Sequence, residues 1–471
     1  MKWALIHLGS DVVYGMTFFA KELQDNNEEF HWFDGDSEDI LPKLEEYMPD
    51  YVCFGPLSSE FETAVNLAKM VKRFKFSTRT VFGGHHVKVL PDEINSEHID
   101  YLVLGTCYDI IDKIISSSPN TVINGSYRAP SVMDPELDIY YTQVPRIGRR
   151  PRKYIMSHWG CTYNCSYCGT SATRKAVGSK IYKECYLTRR PVDNVLAEAR
   201  ILQKFHTEEI GLNDDDVLHD TRGGSGTAWL QDFAKRWNNE IGVPLYANVT
   251  PNTVVKADDA AIAAVASIAK TVQMGLQTID ANVNKIFNRS FQSEEQVIQA
   301  CERLISHGLK VKLELIIGVP NIDGLVPEPV ESAIRTINFC NKLAKLFPGK
   351  IKAQCNALVV FPGTDMWTKC IEQKINMRDA WKKALYEGVG SIIFTEEEEN
   401  RLKNLVKLAT MIVKFNLDDE WIRALIDMRM TDSARLKFSQ NQYLDSLTFR
   451  LGDDANELDF QTILKDMTFK Y

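Results

Sequence analysis

Over its first 120 residues the chain alternates short, continuously apolar runs with longer amphipathic stretches. Trp3 to Leu8, Tyr51 to Phe54, Thr80 to Phe82 and Tyr101 to Leu104 are too short for helices and predict buried strands. Residues 13–24, 38–47 and 61–75 repeat apolar positions every three or four residues and predict helices. The alternation predicts a parallel, doubly wound sheet, Rossmann-like in pattern, whose ligands sit beyond the carboxyl ends of the strands. Those ends fall at Gly9-Ser10-Asp11, Gly55-Pro56-Leu57-Ser58-Ser59, Gly83-Gly84-His85-His86 and Gly105-Thr106. Glycines there let a bulky group approach the backbone.

Residues 126–152 contain Pro130, Pro135, Pro145 and the basic run Arg149-Arg150-Pro151-Arg152, which predicts a linker rather than a packed element. From 153 to 375 the alternation resumes. Behind Pro191, Val192, Val195, Leu196, Ala199 and Leu202 form a helical stripe. Ser293 and Gln296 form a capping box ahead of Val297, Ala300, Cys301 and Leu304, with Gly308 as a stop. The strands divide by face. Val311, Leu313, Leu315 and Ile317 lie on one side, Lys312 and Glu314 on the other. Tyr246, Asn248 and Thr250 separate likewise, as do Gln273 with Gln277 and Gln354 with Asn356. In a barrel with an outer helical layer the apolar face meets the helices and the polar face lines the interior. A polar lining is costly unless it binds something, so Glu314, Lys312 and Tyr246 are candidate catalytic residues. Residues 376–471 lack strand alternation. Thr395 and Glu398 open a helix with Leu402, Leu405, Val406, Ala409, Ile412 and Val413 inward, predicting a helical C-terminal domain.

Composition narrows the class. The 471 residues are 44% hydrophobic and 25% charged, which is ordinary for a globular protein, and the net charge of −8 argues against a general nucleic-acid surface. The start, Met1-Lys2-Trp3-Ala4-Leu5-Ile6-His7, is too short an apolar run for a signal peptide or a membrane span. Ten cysteines without an export signal suggest a reducing, cytoplasmic location.

Three of those cysteines carry the chemistry. Cys161, Cys165 and Cys168 follow the apolar run Tyr154-Ile155-Met156-Ser157-His158 with the spacing C-x3-C-x2-C. Thiolates crowded on one loop suit an iron–sulfur cluster, and three ligands rather than four leave one iron open for a substrate. Structural zinc with His158 as fourth ligand is the other metal reading, but zinc sites usually pair C-x2-C with a second close pair, and none stands nearby.

The spacing, with Tyr167 before the last cysteine, resembles the cluster loop of radical S-adenosylmethionine (SAM) enzymes. The resemblance continues through Ile210-Gly211-Leu212-Asn213-Asp214-Asp215-Asp216, Gly275-Leu276-Gln277-Thr278, Asn288-Arg289, Ile317-Gly318-Val319-Pro320 and Phe361-Pro362-Gly363-Thr364. It implies a partial TIM-type (β/α)6 barrel over 153–375 with a [4Fe-4S] cluster on Cys161, Cys165 and Cys168. It further implies that Tyr167, Gly169, Asn213, Asp214, Asp215, Gln277, Arg289, Ile317 and Gly318 lie about the cluster and SAM. Residues 1–125 are similar to the cobalamin-binding domain that precedes many such barrels, through Ser58 and Ser59, Val81-Phe82-Gly83-Gly84-His85 and Leu104-Gly105. Two features depart from that pattern: the loop Asp11-Val12-Val13-Tyr14-Gly15 has no cobalt-binding histidine, and Gly105-Thr106-Cys107-Tyr108 replaces the usual G-E-G-E. The combination resembles cobalamin-dependent radical SAM methyltransferases. It implies methylation of an unactivated carbon or phosphorus centre through a 5′-deoxyadenosyl radical and methylcobalamin, with a small-molecule or peptide substrate. An external electron donor such as flavodoxin or ferredoxin is implied, and neither a nucleic-acid nor a membrane partner. The alternative implied is a cobalamin-assisted rearrangement or cyclisation without methyl transfer.

Overall fold

The computed structural model describes residues 1–430 apart from 10–11, 75–76, 95–96, 129–133, 223–224 and 383–389. Ser10 and Asp11 of the first strand end, Pro130, and residues 431–471 of the expected C-terminal domain therefore lie outside the described residues. Two six-stranded parallel sheets organise the chain. The first comprises β1 (Lys2–His7), β2 (Glu29–Asp34), β3 (Tyr51–Phe54), β4 (Arg79–Phe82), β5 (Tyr101–Leu104) and β6 (Thr121–Asn124), in the order β2-β1-β3-β4-β5-β6. It is buried on both faces. Trp3, Leu5, Cys53 and Val81 join one apolar cluster, and Ala4, Ile6, Val52, Phe54 and Phe82 join the other. The double burial is why these strands read as continuous apolar runs. The sequence pattern passes over β2 and β6, the two edges of the sheet, whose side chains are only partly covered.

The second sheet runs in sequence order through β7 (Arg152–Ile155), β8 (Glu209–Leu212), β9 (Leu245–Val249), β10 (Ala269–Gln277), β11 (Lys310–Ile317) and β12 (Ile351–Ala357). Each strand is parallel to the next and helices intervene, which gives a (β/α)6 barrel left open between β7 and β12. Val311, Leu313, Leu315 and Ile317 are buried against the helical layer. Helix Glu294–Ser306 starts at the Ser293–Gln296 capping box, and Gly308, at φ +89°, lets the chain leave it.

Two expectations need correction. Residues 126–152 are not merely a linker. Helices Asp138–Gln143 and Pro145–Gly148 bury Leu137, Tyr140, Tyr141, Val144 and Ile147, and Arg146 bonds Asp34 at 2.6 Å and the Gly9 carbonyl at 2.8 Å. Pro145 opens the first turn of its helix, where the missing amide proton costs nothing, so it marks a start rather than a break. Nor is helix Glu396–Lys414 part of a separate C-terminal domain. It packs along β12 and helix Pro329–Leu346, and Thr410 donates to the Ala353 carbonyl at 2.8 Å. Its apolar stripe therefore covers the barrel's last strand.

Candidate active site

The chain leaves β7 at Ile155 and passes through Cys161, Cys165 and Cys168 into helix Gly169–Val177. That loop is pinned along its length. Asp214, beyond the end of β8, accepts from the Ser157 amide at 2.6 Å and the His158 amide at 3.3 Å, takes the Ser157 hydroxyl, and pairs with His158 Nδ1 at 3.0 Å. Burial alone would raise the Asp214 carboxyl, but His158, Arg189 and Ser157 hold it down at about 2. The Cys161 amide donates to Tyr182 Oη at 2.8 Å. Tyr163 stacks on Phe291 at 4.8 Å and accepts from Asn252 at 2.8 Å. Ser166 donates through its hydroxyl to the Ile286 carbonyl at 2.8 Å and through its amide to the Phe287 carbonyl at 3.1 Å.

Within this frame Cys165 is buried and Cys161 and Cys168 are half-buried. Burial pushes Cys161 and Cys168 up, and the carboxylates of Asp216 and Asp215 push in the same direction. Uncharged thiols beside carboxylates gain most from a cation that converts them to thiolates, so the donor set fits a metal cluster. The opposite side is cationic. Arg289 Nη1 donates to Cys165 Sγ at 3.5 Å.

The residues singled out from sequence fall in several places. Tyr167 packs on Phe287 at 4.5 Å. Asn213 is exposed, and Asp214 is occupied in holding the loop. Asp215 lies beside the cysteine-bearing loop. It accepts from Thr170 at 3.0 Å, and burial pushes it up to about 6. Asp216, which the sequence reading did not select, accepts from Thr250 and Thr253 at 2.8 Å each and is likewise raised by burial to about 6. Gln277 ends β10 with φ +62°. Gly318, after Ile317, faces Phe394 and Leu402 of the covering C-terminal segment.

Lys312 and Glu314 are paired in the barrel interior at 2.8 Å, with Asn356 donating to Glu314 at 3.3 Å and Lys312 reaching Gln273 at 3.4 Å. Burial raises the Glu314 carboxyl against the pull of Lys312 and Asn356. Tyr246 sits elsewhere. It lies near the amino end of β9, in register with Gly211, under the Arg152 guanidinium at 4.8 Å. That is the barrel end opposite the cysteine loop, because all six strands run the same way. Its candidacy for catalysis is withdrawn on that geometry.

A second feature lies between the two sheets. A cavity of about 310 Å³ opens at the carboxyl ends of the first sheet. Val12, Val13, Gly55, Gly83, Gly84 and Gly105 form its floor, and Trp159 and Tyr186 reach it from the barrel side. Gly84 and Gly105 both have φ +85°, and a Cβ on Gly84 would stand 2.9 Å from the Gly55 carbonyl carbon. Ser58 is turned away, bonded to His86 at 3.0 Å, and the lining takes Leu57 and Glu60 in place of Ser58 and Ser59. His85 also lines the cavity. Its Nδ1 lies 3.4 Å from the Thr173 hydroxyl, and its Nε2 faces Gly169, the residue after Cys168. Burial pushes this imidazole down to about 4, so it is neutral. Trp159, His85 and Lys88 were not selected from sequence. Trp159 reaches the same cavity as His85 and Lys88 only through the contact between domains.

Residues 158–337 match the Radical SAM superfamily. Over those residues the chain carries a radical SAM domain, and it is an enzyme. Its domain is one that takes a [4Fe-4S] cluster and SAM. The chain is also 22% identical over 395 residues to an uncharacterized methyltransferase of Pyrococcus horikoshii, covering 77% of this chain and 79% of that one. Among solved structures it resembles the radical SAM methyltransferase TsrM of Kitasatospora setae with cobalamin and a [4Fe-4S] cluster bound, at 14% identity, TM-score 0.56 and 89% of each chain. It also resembles the cobalamin-dependent enzyme OxsB, at 11% identity, TM-score 0.60, with 86% of this chain and 66% of that one covered. Both structural likenesses concern the fold, an N-terminal Rossmann-like sheet followed by a radical SAM barrel. No helix among the described residues is long and apolar enough to cross a membrane.

Proposed function

We propose that this radical SAM enzyme is a cobalamin-dependent methyltransferase acting on an unactivated carbon or phosphorus centre. One observation carries the reading. The apolar, glycine-floored cavity is shared between the first sheet and the loop that bears Cys161, Cys165 and Cys168. A flat, bulky cofactor requires close backbone approach on one side, which Gly83, Gly84 and Gly105 permit. When bound, the cluster supplies the electron that cleaves SAM and the cobalamin carries the methyl group. The chain's own residues position these groups and exclude water. Cys161, Cys165 and Cys168 would hold the cluster. Asp215, close to the cysteines, would receive the SAM amino group. Glu314 and Lys312 would face the substrate from the barrel wall. The two nitrogens of His85 are turned toward Thr173 and Gly169, so we infer that cobalt is held without a protein imidazole. A donor such as flavodoxin or ferredoxin, and with it a cytoplasmic location, belongs to this reading.

The test is cobalamin retention through gel filtration, followed by electron paramagnetic resonance of the Co(II) form. Stoichiometric retention without nitrogen superhyperfine splitting is expected. Gly84→Ala should weaken retention by about tenfold, because the added methyl meets the Gly55 backbone. Failure of the wild-type chain to retain cobalamin would overturn the proposal. Methyl transfer itself is read as a mass gain of one methyl on the product together with 5′-deoxyadenosine.

A further inference from the structure

The resemblance places Arg289 about the cluster and SAM, and its geometry points to a cluster ligand. Its guanidinium is buried and fixed. Nη2 donates to the Gly275 carbonyl at 2.7 Å and to Gln292 Oε1 at 2.8 Å, and Gln292 is in turn anchored to the carbonyls of Leu276 and Thr278 at 2.8 Å each. Nη1 is left pointing at Cys165 Sγ, 3.5 Å away. Of the three sulfurs, Cys165 is the one that accepts this hydrogen bond among the described residues. Cys161 feels the carboxylates of Asp216 and Asp215, and Cys168 that of Asp215, which bear the opposite charge.

We infer that Arg289 is a positioning residue for the iron–sulfur cluster, acting through Cys165 to make the cluster easier to reduce. A thiolate that accepts an N–H bond from a fixed cation gives less of its charge to iron. The reduced cluster carries one more negative charge than the oxidised one, so a buried cation stabilises it more. The carboxylates on the far side act the other way, and the arginine offsets them. The inference rests on the cluster and not on cobalamin, so it stands or falls separately from the function proposed above.

The test is a midpoint titration of the reconstituted cluster without SAM, with dithionite as one-electron reductant and electron paramagnetic resonance as the readout. Arg289→Gln should assemble the cluster with wild-type iron and sulfide content. Its reduced-to-oxidised ratio at the wild-type midpoint should be about tenfold lower, a shift of about 59 mV for one electron. Arg289→Lys keeps the charge but loses the fork, and should fall between the two. Equilibrium binding of SAM to the oxidised cluster should change by less than about threefold. An unchanged SAM-free potential with much weaker SAM binding would overturn the inference and return Arg289 to the SAM site. Failure of both variants to assemble the cluster would overturn it too, because Arg289 would then be an anchor of the loop.

Discussion

Glu314 and Lys312 show how a single residue can be read correctly for place while its role stays open. Strict alternation along β11 places both on the face away from the apolar side chains, and they are found there as a pair 2.8 Å apart. Tyr246 obeys the same alternation, yet its height along the strand puts it at the wrong end of the barrel, which periodicity of two does not report. The pair also makes a stability claim. Removing one partner of a buried ion pair strands the other charge, whereas removing both strands neither. Glu314→Gln should therefore cost about 3 kcal/mol in urea unfolding. Lys312→Met combined with Glu314→Leu should come within about 1 kcal/mol of the wild type. Equal losses in the single and double variants would show that the pair does not act as a unit.

At the scale of elements, the loops after β7 and β8 are held by one carboxylate. Asp214 is depressed from 3.8 to about 2 in the folded chain. A depressed carboxyl contributes stability that is present in full above its unfolded value and is lost as the pH falls toward the folded one. The contribution should thus be complete above about pH 4 and fade toward pH 2, with a size of about 2 kcal/mol. Asp214→Asn should remove this acid limb, measured as a flatter dependence of the urea midpoint between about pH 5 and about pH 2.5. A variant as acid-sensitive as the wild type would refute the assignment. In the sequence the acidic side chains stand only as a run, Asp214-Asp215-Asp216. Which carboxylate faces the loop, the helix start or the strand wall depends on local turns that no motif spells out. The core strands were legible because both faces are buried, and the edge strands β2 and β6 were not, because theirs are partly exposed.

The whole molecule is tied across its domains by charges that were invisible in sequence. Tyr14, at the start of the first helix, donates to Glu198, which lies 184 residues on and pairs with Arg190. Glu198 and Arg190 are buried and Tyr14 is half-buried. Burial raises the Tyr14 hydroxyl and the Glu198 carboxyl, and Arg190 opposes both shifts. Glu198→Ala should leave Arg190 without this carboxylate and loosen the two domains from each other. Calorimetry should then show two unfolding transitions in place of one, with the interface weakened by about 3–5 kcal/mol. A single transition at the wild-type temperature would show that the domains are held by other contacts.

Gly169 is where the domains meet nearest to the cysteines. A Cβ there would stand 3.1 Å from His85 Nε2 and 3.4 Å from its Cε1. The absence of one carbon therefore acts as a ruler: it sets how near the floor of the cavity can come to the loop that carries Cys168. Graded substitution at position 169 would lengthen that span in steps of a few tenths of an ångström, turning a static contact into an adjustable separation between the cavity and the cysteine loop.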